Sequence, residues 1–509
     1  MRKRLYSFLI SGLHVIALVF SFLLLVSNAF HHAAVSYDDY ELVSIIPYFR
    51  RGLPMLIAAG FCFLLIRLFS AQLKRIDQRA AFAAFSVVYL LLASYLILNT
   101  TDYIRADAAS VFRAALEVKS GDYSSFAKGG YLYTYPHQLG LLVFDLLLSL
   151  IAETPAVIFC VNFALVLGIN YVTWQISREL FSDKLVQLLT IVFSFLFFPQ
   201  LFMIMFAYGQ IPGLFFLLLA FFFTLRFCRI NRFGYAAALL ICITLSVLLR
   251  KNNLIGGIAI LLYLLLHFIQ TGRARSVIAG IAVVICLFLP GKALQTTFEH
   301  LSATKLDHAS PSVLWVAMGT DIDNRTRGAG WYDHSSALIY QKANFNAQQA
   351  ASIGSSKLRA NMHKMVRNPE KASEFFRDKF LSTWCEPLYQ SLWSGPIQMR
   401  EQPETLTPFL TELYSDSHTE YLAETTAHLL SLIIYTGAFW YLLSAKKAEH
   451  GWALSFLYLI GGILFHLFWE TKSQYVYPYV FCLLPFAACG ICKTRTPGAV
   501  FGLTTPDTQ

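Results

Sequence analysis

Residues 106–140 read ADAASVFRAALEVKSGDYSSFAKGGYLYTYPHQLG and lie between two apolar segments. The apolar residues of the first half recur at the i, i+3, i+4, i+7 spacing of one helix face, and they are Val111, Ala114, Ala115 and Val118. Gly121 and the pair Gly129-Gly130 then break the helix. Pro136 biases the residue before it away from the α region. The stretch therefore predicts an amphipathic helix lying on a membrane, then a turn and a rigid descent into the bilayer.

The composition of the whole chain agrees with a membrane environment. Of 509 residues, 56% are apolar and only 14% are charged, whereas soluble domains contain about 25% charged residues. Apolar runs long enough to cross a bilayer recur along the chain and predict a polytopic helical membrane protein. The net charge of +10 does not indicate a nucleic-acid partner, because the basic excess lies in short loops between spans, where it orients the chain.

The apolar pattern predicts thirteen membrane segments. They lie near 5–26, 53–70, 80–98, 137–152, 156–175, 185–205, 210–227, 234–249, 254–270, 276–290, 426–444, 452–469 and 475–492. Basic residues at both ends of the chain place both ends in the cytoplasm, which requires an even number of spans. Segment 137–152 is short and contains Asp145, so it is the candidate for a re-entrant or broken segment. The predicted fold class is an all-α polytopic membrane protein with about 12–13 transmembrane helices.

The charge pattern also predicts the domain organisation in a plasma membrane. N-terminal helices (1–98), a first external loop (99–136), a transmembrane core (137–290), a long external loop (291–424), C-terminal helices (425–492) and a cytoplasmic tail (493–509) follow in order. The long loop exceeds the length of a simple connector. Its tryptophans and the helix-like pattern across 344–381 predict an ordered, α-rich extracytoplasmic cap.

The nine cysteines provide neither a disulfide framework nor a metal site. Cys489 and Cys492 form a CxxC at the end of the last apolar segment, but no second pair and no histidine lies nearby in sequence. Cys385 is the only cysteine of the long loop. No metal and no internal disulfide of that loop are predicted.

Three clusters of polar residues are expected to reach the outer face, and charges kept near membrane segments are candidates for function. The first contains Asp102, Asp107 and the turn 135–138, the second is 250–253 with Arg250 and Lys251, and the third is 469–475. A carboxylate can accept a proton from a hydroxyl, and arginine and lysine stabilise phosphoryl oxygens. The combination suits a lipid phosphate, or a lipid-phosphate sugar, bound in a groove at the outer leaflet.

Simpler roles for the same residues remain open. The acidic residues of the first cluster are alternatively interfacial or loop charges, and Arg250-Lys251 alternatively snorkels to head groups. The tyrosines at 131, 133 and 135 are alternatively an aromatic belt. For the whole chain, the alternatives are a transporter or flippase of lipid-linked glycans, a polymerase or ligase of preformed glycans, and a non-catalytic partner in a cell-envelope complex.

Four motifs together carry a resemblance to known enzymes. They are the quoted stretch at 106–140, RKNN at 250–253, WVAMG at 315–319 and FHLFWETKSQYVYPY at 465–479. In this order and spacing they resemble bacterial membrane glycosyltransferases of the GT-C class. The closest group is the family-39-like set of Gram-positive bacteria, relatives of the protein O-mannosyltransferases. The resemblance covers residues from about 100 to 492.

This resemblance implies a GT-C-like helix bundle that uses a polyprenyl-phosphate sugar on the outer face and inverts the anomeric centre in a single displacement. Such enzymes carry an acidic residue in the first large external loop, a position that matches Asp107. Many relatives have a paired acidic motif directly after the first span. Here two further spans precede it, and the motif runs from Asp102 to Asp107, so Asp102 is the alternative base.

The expected substrate-binding residues follow from the same motifs. Lipid phosphate and sugar are assigned to Arg250, Lys251, Lys472, Glu470, His137, Gln138, Tyr135 and Tyr475. Because a phosphate is already a good leaving group, no metal or other cofactor is required. The expected acceptor is a cell-wall polymer, a surface polysaccharide, a glycolipid or a protein.

Overall fold

The structure of the chain is a computed structural model that describes residues 2–37, 41–47, 49–100, 103–393, 407–415, 417–445 and 451–492. Helices account for most of the described residues, and one β-hairpin accompanies them. The all-α prediction is thus confirmed apart from this hairpin.

The N-terminal part pairs long helices with a hairpin that the sequence pattern did not predict. It contains α1 Arg2–Phe30, β1 His31–Tyr37, β2 Glu41–Pro47, α2 Phe49–Leu68, α3 Ser70–Leu73 and α4 Gln78–Leu98. The two strands pair antiparallel from His31 opposite Pro47 to Tyr37 opposite Glu41. Backbone hydrogen bonds from Ala33 N to Cys385 O (3.0 Å) and from Val43 N to Arg327 O (2.9 Å) attach the hairpin to distant parts of the chain.

The stretch 106–140 forms α5 Ala106–Lys119, α6 Tyr131–Thr134 and the start of α7 Leu139–Ser149. The apolar face of α5 is buried in the protein, with Val111 and Ala115 each 0% exposed. This face packs with residues of α7 and with Phe298 in one hydrophobic cluster. The prediction that it lies on the membrane was therefore wrong, because a protein surface covers it.

The next helices form the centre of the bundle. They are α8 Pro155–Leu180, α9 Lys184–Leu196, α10 Pro199–Phe202, α11 Gln210–Ile230, α12 Phe233–Leu249, α13 Leu254–Thr271 and α14 Ala274–Leu301. The predicted segment 185–205 bends by 49° between α9 and the helical turns that follow it. Phe197 leaves the helical conformation at the end of α9, with ψ of 61°. Pro199, which has no backbone N–H to continue the helix, begins α10.

Between α14 and α20 the chain forms an insert, which contains α15 Val313–Gly319, α16 Ser335–Lys342, α17 Ala347–Arg367, α18 Pro369–Trp384 and α19 Pro408–Leu413. The helix-like pattern at 344–381 corresponds to α17 and α18. The chain ends with α20 His418–Ser444, α21 Ala453–Phe468, α22 Tyr477–Phe481 and α23 Leu484–Cys492. The long loop is shorter than predicted, since α14 continues to Leu301 and α20 begins at His418.

Seven of the described helices are long and apolar enough to cross a membrane, or eight if the bent pair formed by α9 and the turns after it is one span. Four shorter apolar helices accompany them. The chain is therefore a multi-pass membrane protein. The 11-residue α7 measures about 16 Å, well below the roughly 30 Å of a hydrocarbon core, so segment 137–152 is too short to cross as a straight helix.

Candidate functional site

One cavity of about 610 Å³ brings together residues from the hairpin, α5, the loops before α11 and α13, the insert and the loop after α21. Nine of the ten sequence-predicted site residues line it, namely Asp107, Tyr135, His137, Gln138, Arg250, Lys251, Glu470, Lys472 and Tyr475. The tenth, Asp102, lies outside the described residues. Residues more than 360 positions apart in sequence thus face a single space.

Asp107 lies in the first turn of α5, where the positive end of the helix dipole favours a carboxylate. Its side chain is exposed to the cavity, although protein atoms surround the cavity on most sides. Desolvation raises the pKa of Asp107 above its usual value, while the charges of Lys472 and Arg250 and a hydrogen bond from Tyr208 oppose this rise. A raised pKa makes the carboxylate a stronger proton acceptor.

Tyr208, which the sequence analysis missed, links the acidic and basic sides of the cavity. Its hydroxyl donates to Asp107 Oδ2 at 3.4 Å and accepts from Gln138 Nε2 at 2.5 Å. Its carbonyl accepts from Arg250 at 3.2 Å, and the guanidinium of Arg250 lies 4.6 Å from the centre of its ring. Tyr208 therefore fixes the relative positions of Asp107 and Arg250.

Gly209 allows this arrangement because it adopts a left-handed conformation, with φ of 72°, at the start of α11. A Cβ atom at this position would lie 2.2 Å from the carbonyl oxygen of Leu249, the residue before Arg250. The absence of a side chain thus brings the Tyr208 loop against the end of α12.

Gly209→Ala is expected to destabilise the protein by at least about 1–3 kcal/mol, because it adds a strained φ and a backbone clash. Gly121→Ala is the matched control, since Gly121 has φ of 86° but a Cβ there meets nothing within 4 Å. Thermal unfolding in detergent should show a larger loss of melting temperature for Gly209→Ala. Equal losses in the two variants would contradict the proposed close approach.

The loop 469–475 after α21 carries Glu470, Lys472 and Tyr475. Lys472 forms a 2.6 Å ion pair with Glu41 of the hairpin, and Arg327 of the insert lies 3.5 Å from the same carboxylate. The sequence motifs predict Lys472 beside a lipid phosphate and give no indication of either Glu41 or Arg327. Glu41 lies within the hairpin, which the sequence pattern did not reveal, and Arg327 lies in an irregular segment, so neither position carried a periodic signal.

Buried contacts also fix the position of the loop 469–475. Ser473 donates to Glu386 at 2.6 Å, and Thr471 N donates to the carbonyl of Gly330 at 3.0 Å. Lys379 of α18 is 1% exposed, and its Nζ lies 2.5–2.9 Å from three carbonyl oxygens. Those oxygens belong to Gly319, Leu467 and Trp469. The insert therefore determines where Glu470 and its neighbours lie.

Glu470 is 4% exposed. Burial raises the pKa of Glu470 from 4.5 to about 7, with Lys472 opposing this rise and Glu41 adding to it. A raised carboxyl pKa means that the folded state favours the protonated form, so the associated stability is complete below pH 4.5 and is lost as the pH rises through 7.

The ionisation of Glu470 is expected to lower the melting temperature between about pH 4.5 and 7, a fall that the lowered pKa of His137 partly offsets. Glu470→Gln should weaken this fall because glutamine cannot ionise. Burial also raises the pKa of Glu386 to about 7, so part of the slope should remain in the variant. Melting curves over this pH range test the expectation, and an unchanged slope in Glu470→Gln would contradict it.

Aromatic rings form much of the remaining wall. Trp315 and Trp469 stack with ring centres 6.1 Å apart and planes 6° from parallel, and Tyr135 lies 6.1 Å from Trp315. Trp393 contacts two cations, with Arg105 4.6 Å and Lys472 5.0 Å from its ring centre. The cavity therefore combines apolar faces with charged groups, as ligand sites commonly do.

A second cavity of about 230 Å³ lies beside the first and shares His137 and Lys251 with it. Residues of α12 and α14 line this smaller space, among them Leu248, Leu287 and Phe288, together with the polar Lys292 and Gln295. The smaller cavity therefore has both apolar and polar walls.

Among the described residues, no group of three or more His, Cys, Asp or Glu side chains is arranged to hold a metal ion. Comparison of the chain with models of protein families, with curated proteins and with solved structures finds no match.

Proposed function

We propose that the chain is a membrane glycosyltransferase of GT-C-like architecture that moves a sugar from a polyprenyl-phosphate sugar to an acceptor hydroxyl of the cell envelope. The observation that carries the proposal is that Asp107, Arg250 and Lys472 line one cavity. Both cations interact electrostatically with the carboxylate of Asp107. A base beside cations is the arrangement that displacement of a sugar phosphate needs.

The charge of the cavity fits an anionic substrate. Among the described residues, five cationic residues line it, and they are Arg105, Arg250, Lys251, Arg327 and Lys472. Three carboxylates of the described part accompany them, from Glu41, Asp107 and Glu470. The excess of cations suits a lipid phosphate, whose negative charge increases when its bond to the sugar breaks.

In the proposed reaction, Asp107 accepts the proton of the acceptor hydroxyl while the hydroxyl oxygen forms a bond to the anomeric carbon. The bond between that carbon and the phosphate oxygen breaks on the opposite face, and its electron pair leaves with the polyprenyl phosphate. Arg250 and Lys251 stabilise the charge on the leaving phosphate. Attack from the opposite face inverts the anomeric centre.

In this proposal, the first isoprene units of the donor occupy the smaller cavity between α12 and α14. It is apolar along Leu248 and Leu287 and meets the main cavity at Lys251. A lipid with its phosphate at Lys251 would have its chain directed toward the membrane helices. The stacked Trp315 and Trp469 offer flat apolar faces for a sugar ring.

The proposed topology places the cavity on the outer face of the plasma membrane. The seven long spans, the bent pair and the four shorter apolar helices make twelve candidate segments, and α7 is not one of them. Twelve is the even number that basic residues at both termini require. The insert then lies outside the cell as a cap over the cavity.

Sugar transfer with defined donors tests the proposal. Purified protein in detergent is incubated with polyprenyl-phosphate hexoses carrying labelled sugars, together with crude cell envelope as the source of acceptor. Label should move into the envelope fraction with wild-type protein. Absence of transfer from every such donor would overturn the proposal and favour a transporter or a non-catalytic partner.

A further inference from the structure

His334 has a positive φ, which is uncommon for residues other than glycine. Its φ is 64°, in the left-handed region, and it directly precedes α16. Residues other than glycine adopt this region at a cost, and such residues often lie at functional sites. The neighbouring Gly328 and Gly330 also have positive φ, but there glycine bears no side-chain penalty.

The left-handed conformation of His334 does not serve to stabilise α16. It forms no capping hydrogen bond with the first turn of α16. Asp333 instead accepts from the backbone N–H of Ser335 at 2.8 Å. The imidazole is exposed rather than packed in the core, so burial does not offset the strain.

The imidazole of His334 lines the main cavity. Its ring lies edge-on to Tyr332, with centres 4.8 Å apart. The imidazole interacts electrostatically with Arg327, Lys472, Glu41 and Asp333. His334 therefore belongs to the end of the cavity built by the hairpin and the insert.

The other end of the cavity has a different composition. Arg250 and Lys251 interact electrostatically with His137 there, and the smaller cavity shares Lys251 with this end. Asp107 interacts electrostatically with Arg250 at this end and with Lys472 at the other. If the donor phosphate occupies the Arg250 end, the acceptor must approach Asp107 from the end that contains His334.

We infer that His334 is a specificity-determining residue that hydrogen-bonds a hydroxyl-rich acceptor at the insert end of the cavity. The inference rests on the proposed glycosyl transfer and names the side from which the acceptor binds. The strained backbone persists because it directs the imidazole into the cavity, where the ring contacts acceptor hydroxyl groups.

His334→Gly separates the two consequences of this assignment. Glycine adopts the same φ without strain, so the melting temperature in detergent should rise. Transfer of label from polyprenyl-phosphate hexose to crude envelope should fall about tenfold, the loss expected for one hydrogen bond. Hydrolysis of the same donor to free sugar should remain within about twofold of wild type, because water replaces the acceptor.

Two further variants serve as controls. Asn344→Gly changes a residue with φ of 53° that follows the other end of α16 and does not line the cavity, so transfer should not change. His334→Asn keeps a polar group on a residue type that tolerates the left-handed region. It should retain more transfer than His334→Gly.

Each alternative result overturns the inference in a recognisable way. A lower melting temperature for His334→Gly would show that the histidine serves stability, and unchanged transfer would show that it does not contact the acceptor. Equal losses of transfer and donor hydrolysis would place the contact on the donor. Absence of both activities in the wild type would remove the proposed function itself.

Discussion

Replacing Asp107 with asparagine is expected to lower sugar transfer about 10²–10⁴-fold, the usual contribution of one well-placed general base. Asparagine is nearly isosteric and can still interact with the hydroxyl of Tyr208, which lies 3.4 Å from Asp107 Oδ2. It cannot accept the proton of the acceptor hydroxyl. The loss should therefore appear in the rate of transfer rather than in folding or donor binding, and labelled polyprenyl-phosphate hexose measures both.

Asp122→Asn is the matched control for this experiment. Asp122 belongs to the same polar stretch, but it is exposed and accepts hydrogen bonds from Ser124 in a turn. Its replacement should leave transfer within about twofold of wild type, as for surface substitutions in general. Full activity in Asp107→Asn would refute the assignment of the base and direct attention to Asp102.

Replacing Arg250 with alanine is expected to lower transfer about 10²–10³-fold, as loss of one preorganised group facing a developing negative charge commonly does. Two effects combine here. The leaving phosphate loses a cation, and Tyr208 loses the guanidinium that contacts its carbonyl and its ring. Because Tyr208 also donates to Asp107, the base loses part of its support.

Arg250→Lys distinguishes these two effects. Lysine keeps the positive charge but cannot reproduce the planar contact with the Tyr208 ring, so an intermediate loss of transfer is expected. Arg113→Ala is the control for general loss of charge, since Arg113 is exposed on α5 and does not line the cavity. Wild-type rates in Arg250→Ala would remove the proposed phosphate contact.

The sequence predicted the residues of the cavity better than the way in which they are held. Arg250 and Glu470 each directly follow an apolar run, and Asp107 lies in the short polar segment after another, so their charges stand out in the sequence. Tyr208 carries no such signal, because a tyrosine near a membrane helix commonly belongs to an aromatic belt. Glu41 carries none because it lies in a hairpin that the sequence pattern does not reveal. Their roles depend on contacts across 101 and 431 positions of sequence, which local patterns do not encode.

The same limit explains the error about α5. Its 3.6-residue period correctly predicted a helix with one apolar face. Periodicity does not identify what covers that face, and a protein surface and a lipid surface demand the same residues. Here α7 runs beside α5, with Lys119 donating to the carbonyl of Ser149 at 2.7 Å. An apolar run of sixteen residues thus forms an 11-residue helix within the protein.

The ion pair between Glu41 and Lys472 has a consequence for biosynthesis. Glu41 leaves the ribosome when more than four hundred residues have still to be translated, and its partner follows the next-to-last long apolar segment. The Glu41 carboxylate therefore lacks Lys472 until nearly every helix has been inserted, although Arg327, the other cation beside it, is translated earlier. A nascent chain that stops before α21 would have most of its bundle and no complete cavity, so premature termination should yield inserted but inactive protein.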